Sequence, residues 1–475
     1  MARAQEVTPR YSTTDVCSPC GSCNGQGCTA ARQPKLRSYP GIRFTADGFD
    51  CALPVTIDSH SACSYACLYC FSDNLAGHVT SVAKGLGQTP ITLLEGIFSE
   101  SSNSKFAQNV RKALKYNNRN VGGYPCAVQV GGINDPGDNI ERQQGWFLRF
   151  GPMAVKYNQP MRVSTKGTVF SDPDYLRLFA AAPHMYWVAF SIISPDDALM
   201  RRIDVGAPSP TERLKTMAAL SKLGVNTSLR LRPMFPGITD CTPKHPQAYR
   251  ELIERAAAAG ARAISYECGF YPSRIPRSKQ PNWKRLEQLS GVPLERVYRS
   301  FGMQACTRPS YTWVEDIMHA VRDAAHSAGL TVGVSDPVWK QLGETGCCCG
   351  IRPDHAVFGN WERENATNAL LEAAKDGHTI EVEEVIPPWA YGVGLNEMCH
   401  TGIGPAAVYG RNRNPSWADK LIQQWEQPRS ERGPLNYFQG ALMPVKLPNG
   451  KLGYKFKGLK RTYPKISPYW NVGPV

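Results

Sequence analysis

Ser61-Ala62-Cys63-Ser64-Tyr65-Ala66-Cys67-Leu68-Tyr69-Cys70 sets three cysteines in a C-x3-C-x2-C spacing, just after an apolar run at 53–57 that reads as a strand. Three thiolates on one tight loop can hold three irons of a [4Fe–4S] cluster, and the fourth iron then has no protein ligand. An open iron suits a catalytic cluster, as an open position suits a catalytic zinc. Zinc is the weaker reading here, because zinc ligands normally come in two pairs.

Outward from this loop, strand and helix patterns alternate. Further strands read at 127–131, 161–165, 186–193, 227–232, 261–267 and 330–334. Amphipathic helices read at 105–116, 140–155, 172–181, 210–223, 246–259 and 313–328. Ser209-Pro210-Thr211-Glu212 is a capping box with Pro at the first helical position, and Gly224 is the matching stop. Repeated strand–helix–strand units imply a parallel sheet with right-handed crossovers. The expected fold class is α/β, a partial (β/α) barrel with its chemistry at the C-terminal ends of the strands. The expected organisation is a Cys-rich N-terminal segment (1–45), the barrel (46–350) and a C-terminal extension (351–475), which holds one further helix candidate at 364–375.

Of 475 residues, 42% are hydrophobic and 20% charged, which excludes a disordered or fibrous chain. No run approaches the ~20 apolar residues that cross a bilayer. The start, MARAQEVTPRYSTTDVC, has no apolar signal region. The expectation is a cytoplasmic protein with no membrane partner. The formal charge is +14, an excess that attracts polyanions, nucleic acid first among them.

Sixteen cysteines in a reducing compartment read as ligands rather than bridges where they cluster. Cys17, Cys20, Cys23 and Cys28 resemble a ferredoxin-like run, one residue longer than the bacterial spacing at its end. They would hold an auxiliary iron–sulfur cluster, and a structural zinc knuckle would satisfy the same four thiolates. Cys347, Cys348 and Cys349 form a third group. Adjacent side chains point in different directions, so at most two of these are expected at one site. Cys51, Cys126, Cys241, Cys268, Cys306 and Cys399 stand alone and read as small buried hydrophobes.

Residues 432–475 contain no acidic residue and eight basic ones. Val445 to Tyr454 reads as a hairpin turning at Asn449-Gly450. Tyr454, Phe456, Tyr463, Tyr469 and Trp470 interleave with the lysines, as in a surface that neutralises phosphates and stacks on bases. A solvated hairpin packed on the barrel explains the same pattern.

The triplet, its place after the first strand and Tyr69 before the last cysteine resemble the radical S-adenosylmethionine (radical SAM) superfamily. Gly131-Gly132-Ile133-Asn134-Asp135-Pro136, Val163-Ser164-Thr165-Lys166-Gly167, Ala189 to Ile193, Gly206 to Leu214 and Arg232 to Asp240 follow in order. This succession is similar to the spore photoproduct lyase-like, DNA repair photolyase branch. The resemblance implies a [4Fe–4S] cluster on Cys63, Cys67 and Cys70, S-adenosylmethionine (SAM), and an electron donor such as flavodoxin or ferredoxin. It implies an enzyme that makes a 5′-deoxyadenosyl radical to abstract hydrogen from its substrate. It places Gly131 and Gly132 against the SAM amino group, Lys166 and Ser191 at its carboxylate, and Tyr69 near the adenine. Outside that context Lys166 would read as a surface cation and Ser191 as a satisfied strand hydroxyl.

Two departures bear on the reaction. The lyase takes its final hydrogen from a cysteine at the end of the second strand; the matching Gly132-Ile133-Asn134-Asp135 has no thiol. It also has tyrosine after the last cluster cysteine, where Phe71 stands here. Cys126, at the opposite end of that strand, is badly placed to substitute. An isomerisation needs no separate donor. Related radical SAM isomerases act in phage thymidine hypermodification, turning a nitrogen-linked amino-acid (glycyl) thymine adduct into a carbon-linked one. The expected substrate is therefore modified thymine in DNA, extruded from the duplex, and the expected location the host cytoplasm for a phage-encoded protein. The alternatives are photoproduct cleavage, radical SAM modification of RNA or a peptide, and a non-catalytic iron–sulfur nucleic-acid-binding protein.

Overall fold

The computed structural model describes residues 42–44, 53, 55–59, 63–70, 127–132, 134–269, 271–272, 280–294, 306–307, 311–352, 354–359, 367, 370, 377–386, 417–428 and 433–458. Its strands are β1 (Ile42–Phe44), β2 (Val55–Ile57), β3 (Ala66–Cys67), β4 (Val128–Val130), β5 (Met161–Thr165), β6 (Tyr186–Ser191), β7 (Asp204–Val205) and β8 (Asn226–Met234). They continue as β9 (Ala263–Cys268), β10 (Tyr271–Pro272), β11 (Cys306–Thr307), β12 (Thr331–Val334), β13 (Thr379–Ile380), β14 (Leu442–Lys446) and β15 (Leu452–Phe456). The helices are α1 (Asn139–Gln144), α2 (Trp146–Lys156), α3 (Pro173–Ala181), α4 (Asp197–Ile203), α5 (Pro210–Lys222) and α6 (Ala248–Ala258). After them come α7 (Gln280–Ser290), α8 (Tyr311–Ser327), α9 (Val382–Val385) and α10 (Trp417–Glu426).

One eight-stranded sheet runs in the order β1-β2-β4-β5-β6-β8-β9-β12. All its neighbours pair parallel except β1, which is antiparallel to β2. Among the described residues nothing pairs β1 with β12, so the α/β sheet is an open, partial barrel. Each expected strand is present, shifted by one to two residues at most of its ends.

Alternation along the strands sorts the two faces. Val128, Val130, Met161, Val163, Val188, Phe190, Leu229, Leu231, Ile264, Val332 and Val334 are buried and form one core with the helices. The residues between them, including Gln129, Arg162, Ser164, Ser191, Ser228, Arg230, Arg232, Ser265 and Glu267, put a polar lining on the opposite face.

The capping box forms: the Ser209 hydroxyl accepts from Glu212 N, and the Glu212 carboxylate accepts from Ser209 N. The single helix expected over 140–155 is instead two. Gly145 (φ 58°) takes a left-handed turn, and its N–H closes α1 on Glu141 O. The buried Glu141 carboxylate then accepts from Phe147 N at 2.7 Å and starts α2. The expected helix at 105–116 lies outside the described residues, as does nearly all of that at 364–375.

The hairpin forms as β14 and β15, with Gly450 at φ 82°, and β13 extends it to three strands. Its rings do not face solvent. Tyr454 and Phe456 are buried in the same core as the barrel, and the Tyr454 hydroxyl donates to Trp425 O. Lys446, Lys451, Lys455 and Lys457 are exposed. For these two rings the packed hairpin holds and base stacking does not. Tyr463, Tyr469 and Trp470 lie outside the described residues. Among those described, no helix is long and apolar enough to cross a membrane.

Candidate active site

The loop that follows β2 carries Cys63, Cys67 and Cys70 at the C-terminal end of the sheet, each partly exposed. Two anchors fix it. Cys67 in β3 pairs with Asp204 in β7, and Leu68 N donates to Ile203 O. On the other side, Ser64 N donates to Asp138 Oδ2 at 2.7 Å. Asp138 Oδ1 meanwhile caps α1 by accepting from Ile140 N and Glu141 N.

The thiols lie close enough to feel one another, Cys63 with Cys67 and Cys67 with Cys70. Burial pushes both Cys63 and Cys67 well up, with Asp135 and Asp138 adding for Cys63 and Asp204 for Cys67. Thiolates in such surroundings need a bound cation to stay ionised. An all-sulfur donor set of three fits an iron–sulfur cluster with one open iron.

Beside the loop sits a fully buried carboxylate, Asp204. It accepts from the Tyr69 hydroxyl (2.7 Å), Lys166 Nζ (2.9 and 3.0 Å) and Arg213 Nη1 (2.8 Å). Burial opposes its ionisation, but Lys166 and Arg213 outweigh that and hold it well below the usual carboxylate range. Lys166 Nζ lies 4.8 Å from the centre of the Tyr69 ring. Arg213 also donates to Ser191 O and Pro208 O, both at 2.8 Å.

The end of β5 is locked in the same way. Asp135 accepts from Thr165 Oγ1, Lys166 N and Gly137 N. At Gly131 (φ 83°) a Cβ would lie 2.5 Å from Pro136 Cδ and 2.8 Å from Ser164 O. Gly132 N donates to Asp58 Oδ1 at 2.6 Å. Ser191 Oγ accepts from Arg230 Nη1 at 3.4 Å.

The structure thus brings Tyr69 and Lys166 into contact and links Ser191 to them through Arg213 and Asp204. Gly131 and Gly132 end β4 on the same side of the sheet. In this arrangement the Lys166 ammonium is already paired. Asp58, Asp138, Asp204 and Arg213 were not singled out from the sequence. Arg213 alone left a signal: a basic residue on the buried side of a capped amphipathic helix. Cys17, Cys20, Cys23 and Cys28, and also Phe71, Cys126 and Ile133, lie outside the described residues. Of the solitary cysteines described with their surroundings, Cys268 is buried as expected and Cys241 is exposed.

The expectation for Cys347, Cys348 and Cys349 is overturned. All three are buried, and their sulfurs lie within 4.8 Å of one another. The segment curls instead of extending, so that Cys349 N donates back to Cys347 Sγ at 3.2 Å. They pack with Leu53, Ala127, Trp187 and Ala263, at the N-terminal end of the strands and so opposite the first triplet.

No protein-family model matches the chain. Uncharacterised proteins of Mycobacterium tuberculosis and Mycobacterium bovis are 26% identical over 220 residues, 45% of this chain and 58% of theirs. The chain therefore spans little more than half the length of the curated relatives it matches. Spore photoproduct lyase complexed with dinucleoside spore photoproduct aligns at a TM-score of 0.43 and 13% identity, over 64% of this chain and 80% of that one. Coproporphyrinogen III oxidase from Escherichia coli, a radical SAM enzyme, aligns at 0.25 and 11%, over 63% and 83%. At these scores what the site can do has to follow from its own residues. Solved structures similar to this chain are thus those of spore photoproduct lyase and other radical SAM enzymes.

Proposed function

We propose that the chain is a radical SAM enzyme that rearranges an amino-acid-modified thymine in DNA, converting a nitrogen-linked glycyl adduct to its carbon-linked isomer. The observation that carries the enzyme class is the pinned loop of Cys63, Cys67 and Cys70 beside Tyr69, Lys166, Asp204 and Arg213, at the strand ends where such sheets bind ligands. The three thiolates would hold the cluster. Gly131, Gly132, Lys166, Ser191 and Tyr69 would meet SAM. When bound, this pair supplies a 5′-deoxyadenosyl radical that takes a hydrogen atom from substrate and can return it.

The chain's own residues position and shield. Asp204, clamped by Lys166 and Arg213, fixes the cysteine loop against β7 and the end of β5. Buried Phe235 packs on Tyr69, with ring centres 5.6 Å apart, and helps keep water from that side. Gly132 to Asp135 offers no thiol, Asn134 donates to Ser59 Oγ, and Asp135 is held by three donors. A rearrangement that returns its own hydrogen fits this better than cleavage. The charge of +14 and the exposed lysines of β14 and β15 support a polyanionic substrate. A flavodoxin- or ferredoxin-type donor would supply the electron.

The test is anaerobic. The protein is loaded with iron and sulfide, given SAM, a strong reductant and DNA bearing glycyl-thymine, and its products are analysed by mass spectrometry. A base of unchanged mass and shifted retention, with little net SAM consumed, is the expected result. No deoxyadenosine from a fully loaded protein would discard the enzyme class. Deoxyadenosine with untouched DNA would discard the substrate.

A further inference from the structure

We infer that Cys347, Cys348 and Cys349 together bind one soft d10 metal ion, Cu(I) or Zn(II), at the floor of the polar face of the sheet. This goes beyond the proposed reaction and does not depend on it. The three sulfurs lie within 4.8 Å of one another. Metal–sulfur bonds of about 2.3 Å require sulfurs about 4 Å apart, so an ion draws them in by less than about 1 Å. Cys348 and Cys349 already have their sulfurs at 3.9 Å. The donor set is purely thiolate, which selects soft ions over magnesium, calcium or manganese.

The loop is built to keep this shape. Cys349 N donates to Cys347 Sγ, the kind of bond that stabilises a ligand sulfur, and Thr345 Oγ1 donates to Cys347 O. The buried Lys340 ammonium donates to Val334 O (2.6 Å) and Gly346 O (3.3 Å), tying the loop to the end of β12. The loop lies directly on β12: a Cβ at Gly333 would sit 2.2 Å from Gly350 N and 3.0 Å from Cys348 O.

Charge supplies the independent argument. Arg162 lies beside Cys349, and Arg230, Arg232 and Lys340 lie beside Cys348. Arg162 Nε and Nη2 and Arg230 Nε are buried without a hydrogen-bond partner. Glu267 lies 3.7 Å from Arg232. Arg162 is itself buried, and leaving these guanidinium donors of Arg162 and Arg230 without an anion beside them is costly. A trithiolate centre carries one net negative charge with Zn(II) and two with Cu(I). Binding releases to solvent whatever protons the thiols still carry and changes no oxidation state.

The test uses the full chain with Cys17, Cys20, Cys23, Cys28, Cys63, Cys67 and Cys70 replaced by serine, so that iron–sulfur chemistry cannot contribute. It is prepared without oxygen, exposed separately to Zn(II) and to Cu(I), desalted, and its metal counted by mass spectrometry. One retained ion per chain is expected, falling to none with Cys348→Ser. Whichever ion survives competition by the other names the occupant. X-ray absorption of the loaded protein keeps the inference testable if Cys348→Ser does not fold: a first shell of three sulfurs is expected. No retained ion, an ion indifferent to Cys348→Ser in a folded variant, a nitrogen–oxygen shell, or an intact mass two protons short (a disulfide among the three) would each overturn it.

Discussion

Two cysteine triplets occupy opposite ends of the same sheet. Cys63, Cys67 and Cys70 spread over eight residues at the mouth, partly exposed, among Asp135, Asp138 and Asp204. Cys347, Cys348 and Cys349 are contiguous, buried at the floor, and face Arg162, Arg230, Arg232 and Lys340. The same side chain responds in opposite directions. Burial, then nearby carboxylates, pushes Cys63 and Cys67 up, whereas hydrogen bonds from Cys347 and Cys349, helped by Arg232 and Lys340, pull Cys348 down. Spacing sets how many sulfurs can meet at one point, and the surrounding charge sets the total charge the site accepts. A basic surround favours a centre that stays net negative.

The largest effect that can break this comparison is at the mouth. Cys67→Ala should abolish deoxyadenosine formation and mouth-bound iron while the floor still retains its one soft ion. Loss of both would mean that the two ends are not independent. Next is Asp204→Asn, which strips Lys166 and Arg213 of their common partner and should cost about 3–5 kcal/mol in urea unfolding at neutral pH. Because the folded carboxyl is held below its unfolded value of about 3.9, its contribution is fully present above that pH. It is lost as pH falls through the folded value, so wild type and variant should converge in acid. A gap that persists unchanged at low pH would contradict the pairing.

Arg162→Gln sharpens the floor. It should weaken metal retention by about 10-fold, the low end of the range for groups placed outside the ligands. Unchanged affinity, read by competition with a chromophoric chelator, would remove the charge argument. Smallest is Ser209→Ala, which should cost about 1 kcal/mol in thermal or urea unfolding through the lost cap of α5. It should leave both metal counts alone, so any change there would show that stability and site occupancy are not separable.

Much of the frame was legible because its signals are local. Apolar alternation marked β5 and β6, and Ser209, Pro210 and Glu212 marked the start of α5. The split of α1 from α2 was hidden because Gly145 alone does not break a helix on paper; the buried Glu141 carboxylate that rewards the turn comes from the fold. The rings of β15 were legible as aromatic but not as inward-facing, since which face of a hairpin is buried depends on what covers it. Trp425 and the barrel core cover this one.

The sequence by itself determined the α/β alternation, the first thiol triplet and its place after the first parallel strand. Periodicity and short spacings are properties of neighbouring residues, and neighbouring residues are what a sequence records. Only the tertiary structure decided that Asp204 anchors the cysteine loop through Lys166 and Arg213, that arginines from β5 and β8 share one polar face, and that three adjacent cysteines converge. Those outcomes join groups up to 187 positions apart, as with Arg162 and Cys349, and their energies come from burial and charge, which exist only once the chain has closed around them.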